Sequence, residues 1–212
     1  MDEFSTTLSP SILPDDRPFQ TAIKPYCEDL LVRLGDHMPG KLQHSNRVGG
    51  LMTCICLHQG MHEAEALLHG EAARMHDIGY LSRPRAEWRT DEKPDEGEKL
   101  RRRILHTVEG EKMLGECPVP EHEFIILARE MALLHHERLG GDGPHGQDRL
   151  SRAIQILGPV DAFDGDQVTA NKPGVPERSP QETLNRLRSH EKYAGAYRED
   201  LLSAIAEIEN LV

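Results

Sequence analysis

Five histidines and two aspartates lie along the 212-residue chain in an order that suits metal chemistry. His44 stands in HSNRV, His76 and Asp77 in HDIGY, His106 in HTVEG, His135 and His136 in HHERLGGDG, and Asp161 in VDAFD. Successive groups are 25 to 32 residues apart, so each helix of a bundle could deliver one ligand to a shared centre. Imidazole together with carboxylate suits first-row metals such as Fe, Mn, Zn, Ni or Co. In an adjacent His-Asp pair the histidine holds one ion and the aspartate bridges to a second. Two bridged ions bind a hydroxide and clamp a phosphate ester for in-line displacement. An isolated HD or HH dipeptide is common by chance, so the ordered set, not any one member, carries this reading.

The elements that must position these residues read as helices. Helical periodicity covers residues 20–34, 43–57, 62–75, 97–114, 121–135, 149–157, 179–188 and 199–211. In the second of these, Val48, Leu51, Met52 and Ile55 share a face, and Gly60 ends the pattern. Ser179-Pro180-Gln181-Glu182 has the form of a capping box. Residues 82–99, 140–146 and 165–179 read as loops. Without an alternating strand pattern or an internal repeat, the expected fold is all-α, a helical bundle over residues 20–212 preceded by a tail over 1–19. Each metal-ligand candidate then falls near a helix end or a helix–loop junction.

Twelve histidines outnumber the nine aromatic residues, and 25 basic against 36 acidic side chains leave a formal charge of −11. Such a chain is poorly suited to DNA or RNA polymers or to an anionic membrane surface. Two divalent ions would bring about +4 locally, enough to make one site positive for an anionic substrate. No apolar run approaches the roughly 20 residues of a membrane helix, and MDEFSTTLSPSILPDD lacks the features of a signal peptide; the expected location is the cytoplasm. Cys27, Cys54, Cys56 and Cys117 are expected as reduced thiols, with Cys54 and Cys56 in the core. His58, His62, His69, His122 and His190 are expected to face solvent, and His37 to cap the first helix.

The strings H-S-x-R-V, H-D-I-G, H-x-x-x-G, H-H-E-R and D-x-x-D, in this order, resemble the HD superfamily of metal-dependent phosphohydrolases. More narrowly they are similar to its bacterial HD-GYP branch, which hydrolyses cyclic di-GMP. The resemblance runs from about Gln43 to the C-terminus and implies a helical bundle. It implies a phosphodiesterase for a cyclic dinucleotide or related phosphate ester, with a metal-bridging hydroxide as nucleophile. One ion would be held by His44, His76, Asp77 and Asp161, the second by Asp77, His106, His135 and His136. Fe or Mn is the first expectation, with Zn, Ni or Co as alternatives. Asp164, the second aspartate of D-x-x-D, is not a ligand in this pattern.

Several positions depart from the pattern. Three-metal members carry a glutamate where this chain has Gly40, so a two-metal centre is expected. Tyr80 replaces the lysine of HDIGK; a phenol can donate a proton but supplies no positive charge. Gly140 and Pro144-His145 break up the GYP loop, and the loop 140–146 is a candidate surface for a signalling protein partner. Lys172 stands in for an arginine as a phosphate contact, and Arg103, in the run Arg101–Arg103, is a candidate for steering phosphate. Arg47 is expected to pair within the bundle. The expected catalytic set is Asp77, Tyr80 and Asp164, with Lys172 and Arg103 binding substrate. Two other readings stand beside hydrolysis: a metal- and nucleotide-binding signalling module with little turnover, and a di-iron oxygenase of HD type.

Overall fold

A computed structural model describes residue 2 and residues 4–88, 94–170, 178–191 and 193–210. Among these residues no strand occurs, so the all-α expectation holds. A π-helical turn, Phe19–Ile23, runs into α1 (Lys24–His37). There follow α2 (Pro39–His58), α3 (Glu63–Ala73), a 3-10 turn Ile78–Ser82, and the short α4 (Arg85–Trp88). The bundle is completed by α5 (Glu96–Gly115), α6 (Glu123–Leu134), α7 (Arg152–Ala170), α8 (Pro180–Ser189) and α9 (Glu199–Ile208).

Local chemistry explains most of these boundaries. Pro39 opens α2, where its missing N–H is no loss. Asp95 caps α5 by accepting from the Glu98 amide, and Ser179 with Glu182 forms the expected capping box on α8. His62 and His122 cap α3 and α6 by accepting from the amides of Ala64 and Phe124; His62 is exposed as expected, whereas His122 is largely covered and meets Asp16 Oδ2 at 3.1 Å. His37 is in the last turn of α1, with Nε2 buried and unpartnered. The stretch from residue 165, expected as loop, stays helical to Ala170. There Asp166 forms ion pairs with Arg178 at 3.1 Å and Arg186 at 3.3 Å, anchoring the last turns of α7 to α8.

The core lies between α2, α3, α6 and α7 and takes in Met52, Ile55, Phe124, Met131, Leu157 and Val160, all buried. Each such side chain contributes about 1.5–3 kcal/mol through burial. Helices α2 and α3 cross closely through Gly49 and Gly70: a Cβ on Gly70 would lie 1.8 Å from Thr53 Oγ1. Cys27, Cys56 and Cys117 are buried, but Cys54 is exposed. Two residues correspond to more than half a turn of helix, so Cys54 and Cys56 cannot both face the core.

The segment read as a tail packs on the bundle. Leu8 and Ile12 are buried in the core. The buried Arg74 guanidinium donates to the carbonyls of Thr7 (2.8 Å) and Ser5 (2.7 Å), to Asn46 Oδ1 (2.8 Å) and to Glu71 Oε2 (2.7 Å). Glu71 and Glu28 accept the amides of Ser9 and Leu8. Among the described residues, no helix is long and apolar enough to cross a membrane.

Candidate metal centre

The seven candidate ligands come from five places in the bundle. His44 lies in the second turn of α2, and His76 and Asp77 on the turn that leaves α3. His135 and His136 follow the end of α6, but His106 and Asp161, expected near helix ends, lie in the middle of α5 and α7. Pro159, two residues before Asp161, removes one ladder hydrogen bond from that helix. Asp77 has φ −103° and ψ 7°, the bridge region, and leads into the 3-10 turn Ile78–Ser82. Gly79 makes the next step possible, because a Cβ there would sit 1.8 Å from the His106 carbonyl oxygen. The HDIG turn therefore presses directly on the α5 backbone beside His106.

These side chains converge. Donor atoms fall into three groups, His44/His76/Asp161, His76/Asp77/His135 and His106/His135/His136, each within 4.8 Å. His44, His76, Asp77, His106 and His135 are buried, while His136 and Asp161 are partly exposed. Asp77 lies between the two halves. Its Oδ2 is 3.4 Å from His76 Nε2 and 3.7 Å from His44 Nε2. Its Oδ1 is 3.6 Å from His106 Nε2 and 3.8 Å from His135 Nε2. Asp161 Oδ1 is 2.9 Å from His44 Nε2 and 3.6 Å from His76 Nε2, and its Oδ2 is 3.7 Å from His136 Nδ1.

The donor set fits cations. His106 Nδ1 is 2.7 Å from the Arg102 carbonyl, and His135 Nδ1 is 3.1 and 3.0 Å from the carbonyls of Met131 and Ala132. Those carbonyls can only accept, so each Nδ1 carries the proton and each Nε2 of a neutral ring is bare. The two bare Nε2 atoms nevertheless face one another at 3.2 Å. No proton is available to join them, whereas nitrogens about 2.1 Å from one ion stand roughly 3.0–3.4 Å apart. His76 shares the Nδ1 anchor, on the Ala73 carbonyl at 2.8 Å, and its Nε2 is 3.3 Å from that of His44. Backbone acceptors of this kind fix the tautomer and orientation of metal-binding imidazoles.

The two halves differ electrostatically. Burial drives His106 down to about 4 and His135 to about 3, and lowers His136 as well, so these rings are neutral near pH 7. Burial also penalises charge on His44 and His76, but there the carboxylates prevail. Asp161 and Asp164 raise His44, and Asp77 with Asp161 raises His76 to about 10. Burial pushes the Asp77 and Asp161 carboxyls upward, yet the surrounding cations hold both well below the usual range.

The remaining expected residues take varied positions. Asp164 lies behind His44, accepting at 2.6 Å from Nδ1 while Arg47 clamps it with Nε at 2.7 Å and Nη2 at 3.0 Å. It orients His44 and does not face the centre. Tyr80 stacks on the His106 ring at 4.7 Å and packs edge-on against Trp88. Arg103 acts electrostatically on His136 and Tyr197, and among the described residues its guanidinium forms no hydrogen bond or ion pair. Lys172 lies outside the described residues. The loop 140–146 is tied down: buried Glu137 accepts the amides of His145 (2.8 Å) and Gln147 (2.7 Å), and His145 Nε2 is 2.9 Å from Thr107 Oγ1.

Two residues at the centre escaped the sequence reading. Lys41 places Nζ 2.7 Å from Asp77 Oδ2 and 4.3 Å from the centre of the Tyr80 ring. Burial opposes its charge, but Asp77, Tyr80 and Asp161 together raise its pKa. Its position three residues before His44, on the same helical face, was the available signal. Tyr197, from the segment before α9, is close enough for Asp161 to act on its phenol, which burial has already raised; no motif marked it.

Comparison with known proteins agrees with this architecture. Two solved structures of the HD domain of the L. monocytogenes phosphodiesterase PgpH, one in complex with cyclic-di-AMP, superpose with TM-score 0.56 at 17% identity. They cover 86% of this chain and 95% and 96% of theirs, a likeness of fold. No curated protein matches the chain significantly. The HD domain family matches residues 27–196, a span that contains all seven candidate ligands, and the chain belongs to that family.

Proposed function

We propose that the protein is a metal-dependent phosphodiesterase of the HD-GYP type, acting on a cyclic dinucleotide at a two-ion centre. The observation that carries this reading is Asp77, with one carboxylate oxygen toward His44 and His76 and the other toward His106 and His135. In the proposed assignment His44, His76 and Asp161 hold one ion, His106, His135 and His136 the other, and Asp77 both. Fe or Mn suits this mixed set of imidazole and carboxylate. Bound divalent ions supply an activated water and a clamp on the phosphodiester. The chain does the rest: Asp164 and Arg47 fix the His44 ring, and Arg103 attracts phosphate at the His136 end. The Tyr80 phenol is assigned the role of proton donor to the departing oxygen, and Lys172 a further phosphate contact, both on sequence grounds. The loop 140–146, tied beside α5, is the surface on which a signalling partner would read the site.

Cyclic-di-AMP, present in one PgpH structure, and cyclic di-GMP, implied by the sequence motifs, are the two substrates to offer. The test is to incubate Mn- or Fe-loaded protein with each and follow the linear dinucleotide by chromatography. The expected result is linear product from at least one, abolished by a chelator. Bound nucleotide with no product under either metal would contradict hydrolysis and favour a binding module.

A further inference from the structure

Lys41 is on the same face of α2 as His44, its ammonium bonded to Asp77 Oδ2 at 2.7 Å and resting 4.3 Å above the Tyr80 ring. That oxygen also faces His44 and His76, at 3.7 and 3.4 Å. The ammonium thus holds an oxygen that an ion carried by His44 and His76 would take. Two cations repel strongly when they share one oxygen in a partly desolvated site. A flexible four-carbon stem can yield, and the side chain is 29% exposed, so there is a way outward. The face of Tyr80 keeps the ammonium at the rim by cation–π attraction, and Tyr80 is itself fixed by stacking on His106 and by Trp88. A cation so displaced from its carboxylate, beside the centre, is matched by an incoming phosphate oxygen.

We propose that Lys41 is the phosphate-binding cation of this site, a counter-ion for Asp77 without metal and a substrate ligand once metal engages Asp77. The inference rests on the proposed two-ion function, and it assigns the positive charge that Tyr80 cannot supply to a residue on a different helix.

The experiment uses the full chain with Mn2+ alone and then inorganic phosphate, both followed by calorimetric titration. Lys41→Met is expected to bind Mn2+ about threefold more tightly, since the competing cation is gone. In Mn-loaded protein the same variant is expected to bind phosphate about tenfold more weakly, and Lys41→Arg to stay within about threefold of the parent. Lys41→Gln keeps a donor for Asp77 and shows the same phosphate loss should Lys41→Met fail to fold. Unchanged phosphate affinity in loaded Lys41→Met or Lys41→Gln overturns the proposal alone, because a purely structural partner of Asp77 would give that result. Mn2+ affinity that is unchanged or weaker in Lys41→Met overturns the counter-ion role. Parent protein that takes up no Mn2+ overturns both the two-ion reading and this inference.

Discussion

His106 and His135 each give the Nδ1 proton to a backbone carbonyl one turn back and turn a bare Nε2 to the other. That confrontation, more than the number of histidines, is what fits the centre to cations. His44 is held differently, between Asp161 and an Asp164–Arg47 clamp. Asp164→Ala should therefore weaken metal binding about 10- to 100-fold without touching a ligand, measured by chelator competition; an unchanged affinity would show that the clamp does not orient the ring. At this scale the motifs were legible, since His and Asp at fixed places in short strings leave few interpretations. Lys41 was not, because a single lysine near a helix start looks like any solvated charge until the fold sets Asp77 in front of it.

The elements bring these residues together through close backbone contacts. Helix positions followed from apolar spacing and caps, with the error concentrated in α7. Gly165, Asp166 and the polar residues after them read as loop, yet ion pairs from Asp166 to Arg178 and Arg186 hold the helix on to Ala170. Such pairing is tertiary and leaves no periodic trace. The tail reading of residues 1–19 rested on proline and serine content, whereas burial of Leu8 and Ile12 depends on Arg74, far along the chain. The HDIG turn is the most exacting contact, with Gly79 against the His106 carbonyl. Gly79→Ala should cost about 3 kcal/mol, at the upper end for overpacking, in urea unfolding of metal-free protein. It should also weaken metal binding, because α5 must shift and carry His106 with it. Parent-like stability would mean that the turn packs less closely than described.

For the whole molecule, charge and proton binding set the conditions under which the centre assembles. A chain of net charge −11 can attract an anion only where cations gather, and Lys41, Arg103 and the bound ions would do so at one site. Proton linkage gives the metal-free protein a peaked stability profile. His106 and His135 titrate at about 4 and about 3 when folded, against about 6.5 unfolded. Between those values the unfolded chain binds more protons, so stability falls as pH drops below about 6.5. His76, raised to about 10, acts in the opposite sense: its contribution is full below about 6.5 and is lost as pH rises toward 10. Thermal melts of chelated protein from pH 4 to 9 should therefore peak near pH 6.5, and a flat profile would contradict the protonation pattern of the two halves. Added Mn2+ at 100 times its Kd should stabilise the fold by about 2.7 kcal/mol.

The central claim is that Asp77 joins two ions within one ring of imidazoles. Elemental analysis of reconstituted parent protein and Asp77→Ala, after removal of loose metal, tests it most directly. The account predicts two divalent ions per chain in the parent and loss of both in the variant. A parent with a single ion, or a variant that keeps its full metal content, would contradict it.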